Sequence, residues 1–423
     1  MEILMIAVFV LGYLAIAFEH PLRLNKAASA LLTGVLCWTV YILYTPDYHA
    51  VVHHLESGLG NIAGILFFLL GAMVVVELMD AYDGFELVTE RIRTRSKRRL
   101  LWTIGLITFF LSAILDNLTT AIVMVSLIRK IISDREDRLL FAGLIVIAAN
   151  AGGAWSPMGD VTTTMLWIKG QISAINIIKM LIVPSLVCLL VPMLVLHVQM
   201  KGEIARPPLP DADDRPRCTP RERNTVFFAG LGVLLSVPIF KTVTHLPPFM
   251  GMLLGLGVMW LITEIIHGGL DEADKGTRSV AHALRKVDTP SILFFLGILI
   301  AISALESNGM LEGLAHWLDK TVGNLTLTGV IIGFMSAIVD NVPLVAAAQG
   351  MYSLEQYPQD HYFWELLAYC AGTGGSVLII GSAAGVAAMG IERIDFIWYL
   401  KKVSWLAALG YLAGVLVFVL MSM

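Results

Sequence analysis

Charge is scarce in this chain of 423 residues: Asp, Glu, Lys and Arg together supply only 15%. Soluble domains carry about a quarter, so an ordinary water-soluble globule fits poorly. Disorder is excluded, since it needs few apolar residues and many charges. A formal net charge of −4 offers no basic surface, and no nucleic-acid partner is expected. Cysteine is also sparse. Cys37, Cys188, Cys218 and Cys370 are scattered without metal-type spacing and read as packing or loop residues. No cofactor is implied. The first apolar run, Ile3–Phe18, lacks a basic leader and a small-residue cleavage site, so it reads as a retained helix.

What the chain has instead is apolar length. Hydrophobic residues make up 57%, and the mean hydropathy is +0.78. Runs near the ~20 residues needed to span a bilayer recur along it. Only helices or closed barrels satisfy their backbone in lipid. The expected fold is therefore an all-α polytopic membrane protein. Spans are expected near 1–18, 27–44, 61–79, 139–168, 177–198, 224–240, 248–267, 289–305, 362–390 and 403–422.

Two further apolar stretches, 100–130 and 326–350, share a motif. Ser112-Ala113-Ile114-Leu115-Asp116-Asn117 recurs as Ser336-Ala337-Ile338-Val339-Asp340-Asn341. Other pieces recur around them. Phe67-Phe68-Leu69-Leu70-Gly71 parallels Phe294-Phe295-Leu296-Gly297, and Asn150-Ala151-Gly152-Gly153-Ala154 parallels Gly372-Thr373-Gly374-Gly375-Ser376. Gly159-Asp160 parallels Gly381-Ser382. The chain reads as a duplicated unit of helix, hairpin, Gly-interrupted helix and helix.

Basic residues set the expected orientation. Arg91, Arg93, Arg95, Lys97, Arg98 and Arg99 precede the first stretch, and Arg129, Lys130, Arg135 and Arg138 follow it. Cytoplasmic flanks are Lys- and Arg-rich, so residues 100–130 are expected to enter and turn back. The flanks of 326–350 carry only Lys320 and are expected outside. Further cytoplasmic loops are expected at 19–26, 199–223, 268–288 and 391–402. The scheme puts 25 of the 29 Lys and Arg on one side and both termini outside. The two repeats are then inverted in topology, each with a re-entrant hairpin, as in many secondary transporters.

An Asp buried in lipid is costly and is expected to face protein or water. A midplane carboxylate can hold a proton or a cation but not both well, which is the simplest basis for exchange. Asn adds a carbonyl oxygen that does not titrate. Asp116, Asn117, Asp340 and Asn341 are thus the expected Na+ ligands, with Asp capping of the following helix as a coexisting role. The Gly-rich breaks free carbonyls for a hard cation, or else allow close helix packing. Asn150 and Thr373, with Ser156, Thr162, Thr163 and Ser382, can add side-chain oxygens. Asp160 is a secondary acidic candidate. Glu77 is either a gate or an interfacial side chain. Glu264 reads as interfacial, and His49, His53 and His54 as surface residues of an external loop.

At Ser112-Ala113-Ile114-Leu115-Asp116-Asn117-Leu118-Thr119-Thr120 and at Ser156-Pro157-Met158-Gly159-Asp160-Val161-Thr162-Thr163-Thr164 the chain resembles the NhaD-type sodium:proton antiporters. These belong to the ion transporter superfamily, which also holds arsenite and dicarboxylate carriers. The resemblance implies a secondary transporter, not an enzyme, that exports Na+ or Li+ in exchange for H+. It adds Thr119 to the ion and proton site. It implies a homodimer in a bacterial-type cytoplasmic membrane, with a static scaffold and a transport domain that moves as an elevator. On that scheme 1–60 are scaffold helices, 61–200 the first repeat, 201–223 a cytoplasmic linker, 224–288 further scaffold helices and 289–423 the second repeat. Superfamily relatives place Ser-Asn-Thr at the hairpin tips, where this chain has Asp116-Asn117-Leu118-Thr119 and Asp340-Asn341-Val342-Pro343. No Arg or Lys is expected near either tip, which speaks against an organic dianion. Arsenite carriage is the alternative. An intramembrane aspartyl protease is a remote one: that class resembles a Tyr-Asp and Gly-x-Gly-Asp pattern, whereas here Asp116 and Asp340 both precede Asn and Gly159-Asp160 lacks the earlier Gly.

Overall fold

The computed structural model describes residues 2–17, 24–89, 92, 94–205, 218–268, 278–338 and 340–423. Arg91 and Arg93, together with Arg23, Arg206, Arg215, Arg217 and Lys275 of the expected cytoplasmic loops, lie outside the described residues, as does the middle of the expected linker. Helices of eight or more residues are numbered in chain order. They are α1 (Glu2–Ala17), α2 (Lys26–Tyr44), α3 (Tyr48–Ala81), α4 (Lys97–Leu115), α5 (Asn117–Ile131) and α6 (Arg135–Ala154). Then come α7 (Val161–Ile168), α8 (Ala174–Gln199), α9 (Pro220–Thr244), α10 (Pro248–Ile266), α11 (Thr289–Ser307) and α12 (Met310–Val322). The last are α13 (Leu325–Ile338), α14 (Asn341–Met351), α15 (Tyr362–Gly374), α16 (Ala383–Glu392) and α17 (Ser404–Met421). Among the described residues nine helices are long and apolar enough to cross a membrane. The count is ten if α12 and α13, bent by 115°, are taken as one span. The only bridge found among them is the isolated Ser96–Glu203 pair.

Local chemistry fixes where the helices begin. Asn25, Asp47, Asp134, Ser173, Thr219 and Asp288 each accept a hydrogen bond from a backbone N–H in the first turn that follows. Short polar side chains satisfy donors that the helix leaves free. At the start of α9, Thr219 and Glu222 complete a reciprocal capping box.

The helices pack in two groups. In one, α1 packs on α2, α2 on α11, and α3 on α9, α10 and α11. In the other, α4, α5 and α6 pack together with α8, α15, α16 and α17, while α13 lies on α15. The groups meet where α11 touches α14, α3 touches α7 and α9 touches α4. Large apolar side chains on α9 and α10, such as Ile239, Leu254, Leu261 and Ile265, point away from the protein, as lipid-facing residues do.

Backbone contact holds α2 against α11. A Cβ on Gly297 would lie 2.5 Å from the carbonyl carbon of Ala30, and one on Gly34 would lie 2.7 Å from the Gly297 oxygen. Small residues let membrane helices approach this closely. Trp38 then donates from Nε1 to the Ile300 carbonyl at 2.9 Å. Gly297→Ala must push the helices apart, and overpacking of this kind costs about 1–3 kcal/mol. We expect a lower melting temperature in detergent. An unchanged one would show that α2 and α11 do not meet this way.

One expectation needs correction. His49, His53 and His54 lie not in a loop but on the first turns of α3, a helix of 34 residues, about 51 Å long at 1.5 Å per residue. Ahead of the second Asp–Asn stretch lies α12, which no expected span covers; its apolar residues Leu311 and Ala315 are buried on one side. The amphipathic period of α12 lacks the long apolar run by which spans were recognised.

Candidate ion-binding site

Four helices begin close together. Asp116 starts α5, accepting from the Thr119 N–H on Oδ1 and from the Thr119 hydroxyl on Oδ2, both at 2.8 Å. Asp160 starts α7, its Oδ1 accepting from Thr162 N at 2.9 Å and Thr162 Oγ1 at 2.8 Å. Asp340 starts α14 and accepts from Val342 N at 3.2 Å. Ser382 starts α16, its Oγ accepting from Gly385 N at 3.2 Å. Helix N-termini carry partial positive charge, so each Asp sits where an anion is favoured.

The asparagines tie these starts together. Asn117 donates from Nδ2 to Asp160 Oδ2 at 2.7 Å and to Asn150 Oδ1 at 3.1 Å. Asn341 Nδ2 lies 3.4 Å from both oxygens of Asp160. Asn150 donates onward to Ser376 Oγ at 2.9 Å and Ser382 Oγ at 2.8 Å. Asp160 therefore receives donors from both Asp–Asn junctions while only 1% exposed. A Cβ on Gly372, the counterpart of Asn150, would come within 3.8 Å of Asp160 Oδ2 and 3.2 Å of Ala154.

The contacts behind the site occur twice. Ser112 donates from its hydroxyl to the Ala149 carbonyl at 2.6 Å, and Ser336 to the Ala371 carbonyl at 2.8 Å. A Cβ on Gly152 would fall 2.2 Å from Phe109 O, and one on Gly374 2.1 Å from Gly333 O. In each half the helix then stops, at Ala154 and Gly374, and resumes at Val161 and Ala383. The first half alone has a strained junction. Asp116 has φ 100° and ψ 160°, a region populated almost only by glycine and costing about 1–3 kcal/mol. Its two bonds to Thr119 hold it there.

The carboxylates face one cavity of about 50 Å³ between the two helix groups. Phe68 and Met73 of α3, Leu234 of α9, Met252 of α10 and Phe295 of α11 form one wall. Residues 114–118, Met158, Asp160, Val161, Thr164 and 340–342 form the other. The volume admits a small ion with one or two waters, far from the ~300–1,000 Å³ usual for organic ligands.

Of the expected site residues, Asp116, Asn117, Asp340 and Asn341 line the cavity, and Asn150, Thr119, Thr162 and Ser382 bond to the residues just described. Thr163 bonds the Asp160 carbonyl, and Ser156 the Ala113 carbonyl. Thr373 is turned away: its hydroxyl donates to the Tyr369 carbonyl in its own helix. Glu77 does not line the cavity and pairs with Lys286 at 2.9 Å. The expectation of no basic residue near a tip is overturned, because Lys26 lines the cavity with its Nζ 3.9 Å from Asp340 Oδ2. Counted only as a loop charge, Lys26 gave no signal of its position. Asp160 was underrated because its counterpart in the other half is Ser382. Ser376 had a visible signal, as it falls inside the second Gly-rich repeat.

Helices that break beside three carboxylates, in an enclosed space between two groups of membrane helices, define a membrane transporter rather than an enzyme. The family model described as a citrate transporter (CitMHS) matches residues 13–372, and the chain belongs to that family. Sodium/proton antiporter 2 of Arabidopsis thaliana is 48% identical, covering 98% of each chain. Sodium/proton antiporter 1 of the same plant is 50% identical, over 98% of this chain and 71% of its own length. The Na(+)/H(+) antiporter NhaD of Vibrio cholerae is 31% identical, over 98% of this chain and 91% of its own. The crystal structure of the Alcanivorax borkumensis YdaH transporter shares the fold, with a TM-score of 0.60 and 11% identity over 93% of this chain and 97% of that one.

Proposed function

We propose that this transporter exchanges Na+, or Li+, for H+ at Asp116, Asp160 and Asp340. Three carboxylates against one ammonium around about 50 Å³ favour a bare monovalent cation over an anion. Carboxylate, hydroxyl and amide oxygens are the donors that hard cations take. A tricarboxylate, which the family's description names, suits neither that charge nor that volume. Arsenite, an uncharged triol at neutral pH, would bring no counter-charge to the three carboxylates. The names of the plant and bacterial relatives agree with the cation reading.

The two halves are taken as inverted-topology repeats with re-entrant hairpins at Asp116 and Asp340, a reading supported by the twofold recurrence of serine–carbonyl bonds and glycine contacts. We assign α1–α3 and α9–α11 to a static scaffold and α4–α8 with α13–α17 to a moving group. This division puts α3 and α11 with the scaffold rather than with the repeats. Sliding of one group past the other, elevator-fashion, then opens the cavity to each side in turn. The homodimer, the export direction and the cytoplasmic-type membrane with both termini outside complete the proposal.

Purified protein in liposomes should release protons when Na+ or Li+ is added, as read by an internal pH dye. Asp116→Asn should abolish this release with expression intact. In the regime where one proton competes with Na+, the half-saturating Na+ concentration should rise up to about tenfold for each unit of falling pH. Proton flux indifferent to Na+ and Li+, or coupled to citrate, would overturn the proposal.

A further inference from the structure

The two Asp–Asn junctions satisfy their carboxylates in different ways. Asp116 has both oxygens bonded by Thr119, the third residue after it. Asp340 has Pro343 at that position, which offers neither a hydroxyl nor an N–H. Its one backbone bond, from Val342, engages Oδ1. The other oxygen faces Lys26 Nζ at 3.9 Å. Lys26 is the first residue of α2, and its ammonium also lies 4.8 Å from the centroid of the Phe294 ring on α11. The aromatic face steadies the cation. The Lys26 and Asp340 side chains are 27% and 19% exposed, so water screens the pair only in part. Lys26 and Phe294 sit in the helix group of α1–α3 and α9–α11, whereas Asp340 starts α14 in the other group.

We infer that the Lys26 ammonium is a tethered cation that occupies Asp340 when Na+ does not. A single carboxylate oxygen cannot serve Na+ and the ammonium fully at once, so Na+ binding displaces Lys26. Displacement also removes an ion pair that joins the two helix groups. Lys26 thereby sets the Na+ concentration at which the cavity fills, and makes filling a condition for the groups to part. The inference rests on the Na+/H+ reading and adds a specificity-determining residue to the same cavity.

The test is Na+-driven proton flux in liposomes at fixed pH, with Na+-dependent heat stabilisation in detergent as a binding readout free of turnover. Lys26→Gln removes one unit charge about 4 Å from the carboxylate and should lower the half-saturating Na+ concentration about tenfold in both readouts. Lys26→Arg keeps the charge and should stay near the wild-type value. On an Asp340→Asn background, Lys26→Gln should produce no further change in the Na+-dependent heat stabilisation, the readout that does not need turnover. Should Lys26→Gln fail to assemble, Lys26→Met carries the same comparison. An unmoved or raised half-saturation in the neutral variant, or equal tightening in Lys26→Arg, overturns the tethered-cation role. Absence of Na+-dependent flux in the wild type overturns the exchange reading itself, so the two failures are distinguishable.

Discussion

Asp160→Asn is expected to abolish Na+-dependent proton flux, by at least about a hundredfold, while the helices remain assembled. Loss of flux follows from charge. Asp160 is the one carboxylate that receives donors from both junctions, through Asn117 at 2.7 Å and Asn341 at 3.4 Å. A neutral amide would leave the proposed cation without its central counter-charge, and electrostatic interactions are strong in a site this buried. Retention of the fold follows from hydrogen bonding. Asn caps helices about as well as Asp, so Thr162 keeps its acceptor. The new amide then faces the Nδ2 of Asn117, donor against donor. Rotation of Asn117 and Asn150 relieves the clash, because Ser376 and Ser382 are hydroxyls that donate as readily as they accept. Melting temperature and flux should therefore separate. Flux near the wild-type level in Asp160→Asn would remove this residue from the transport site. Loss of both together would make its role structural.

The sequence disclosed the parts of this site that repeat and hid the parts that do not. Asp116-Asn117 and Asp340-Asn341 stood out because a costly residue pair appeared twice in matching apolar surroundings, and both pairs start a helix beside the cavity. The Gly-rich segments likewise mark where α6 and α15 end. Asp160 was masked by asymmetry: the sequence parallel sets Ser382 opposite it and Gly372 opposite Asn150. Comparing the halves therefore demoted the residue on which both converge. Lys26 was invisible for another reason. Its contact with Asp340 joins distant points of the chain, and a basic residue at a helix start reads equally well as a topological charge. Thr373 shows the converse error. A hydroxyl in a membrane helix commonly bonds the carbonyl four residues earlier, and Thr373 does so with Tyr369. Residues 48–60, more than three turns of α3, lie outside the expected span because their histidines break the apolar run, although helix geometry continues through them.

Gly152→Ala and Gly374→Ala are expected to cost both stability and transport, and they test the geometry that holds the site open. In each half, one helix lies against a neighbour just before its break. The added methyl would stand 2.2 Å from Phe109 O in α4, or 2.1 Å from Gly333 O in α13. The obstruction in both cases is backbone, which cannot rotate aside as a side chain can. Overpacking in a dense interior costs about 1–3 kcal/mol even where side chains adjust, so each variant should melt clearly below the wild type. Transport should suffer further. Separation of the helices also pulls Ala149 O from Ser112, and Ala371 O from Ser336, which shifts the junctions bearing Asp116 and Asp340. A displacement near 1 Å at a reacting centre can cost about a hundredfold in rate, so at least a tenfold loss of flux is expected from either substitution. Gly390→Ala is the control: its methyl meets nothing within 4 Å, although Gly390 too lies within a helix beyond a break. It should leave flux unchanged and, by helix propensity, raise stability slightly. Equal effects from all three substitutions would mean that lost glycine flexibility matters rather than close approach. Wild-type behaviour in Gly152→Ala and Gly374→Ala would mean that the helices do not touch where the breaks begin.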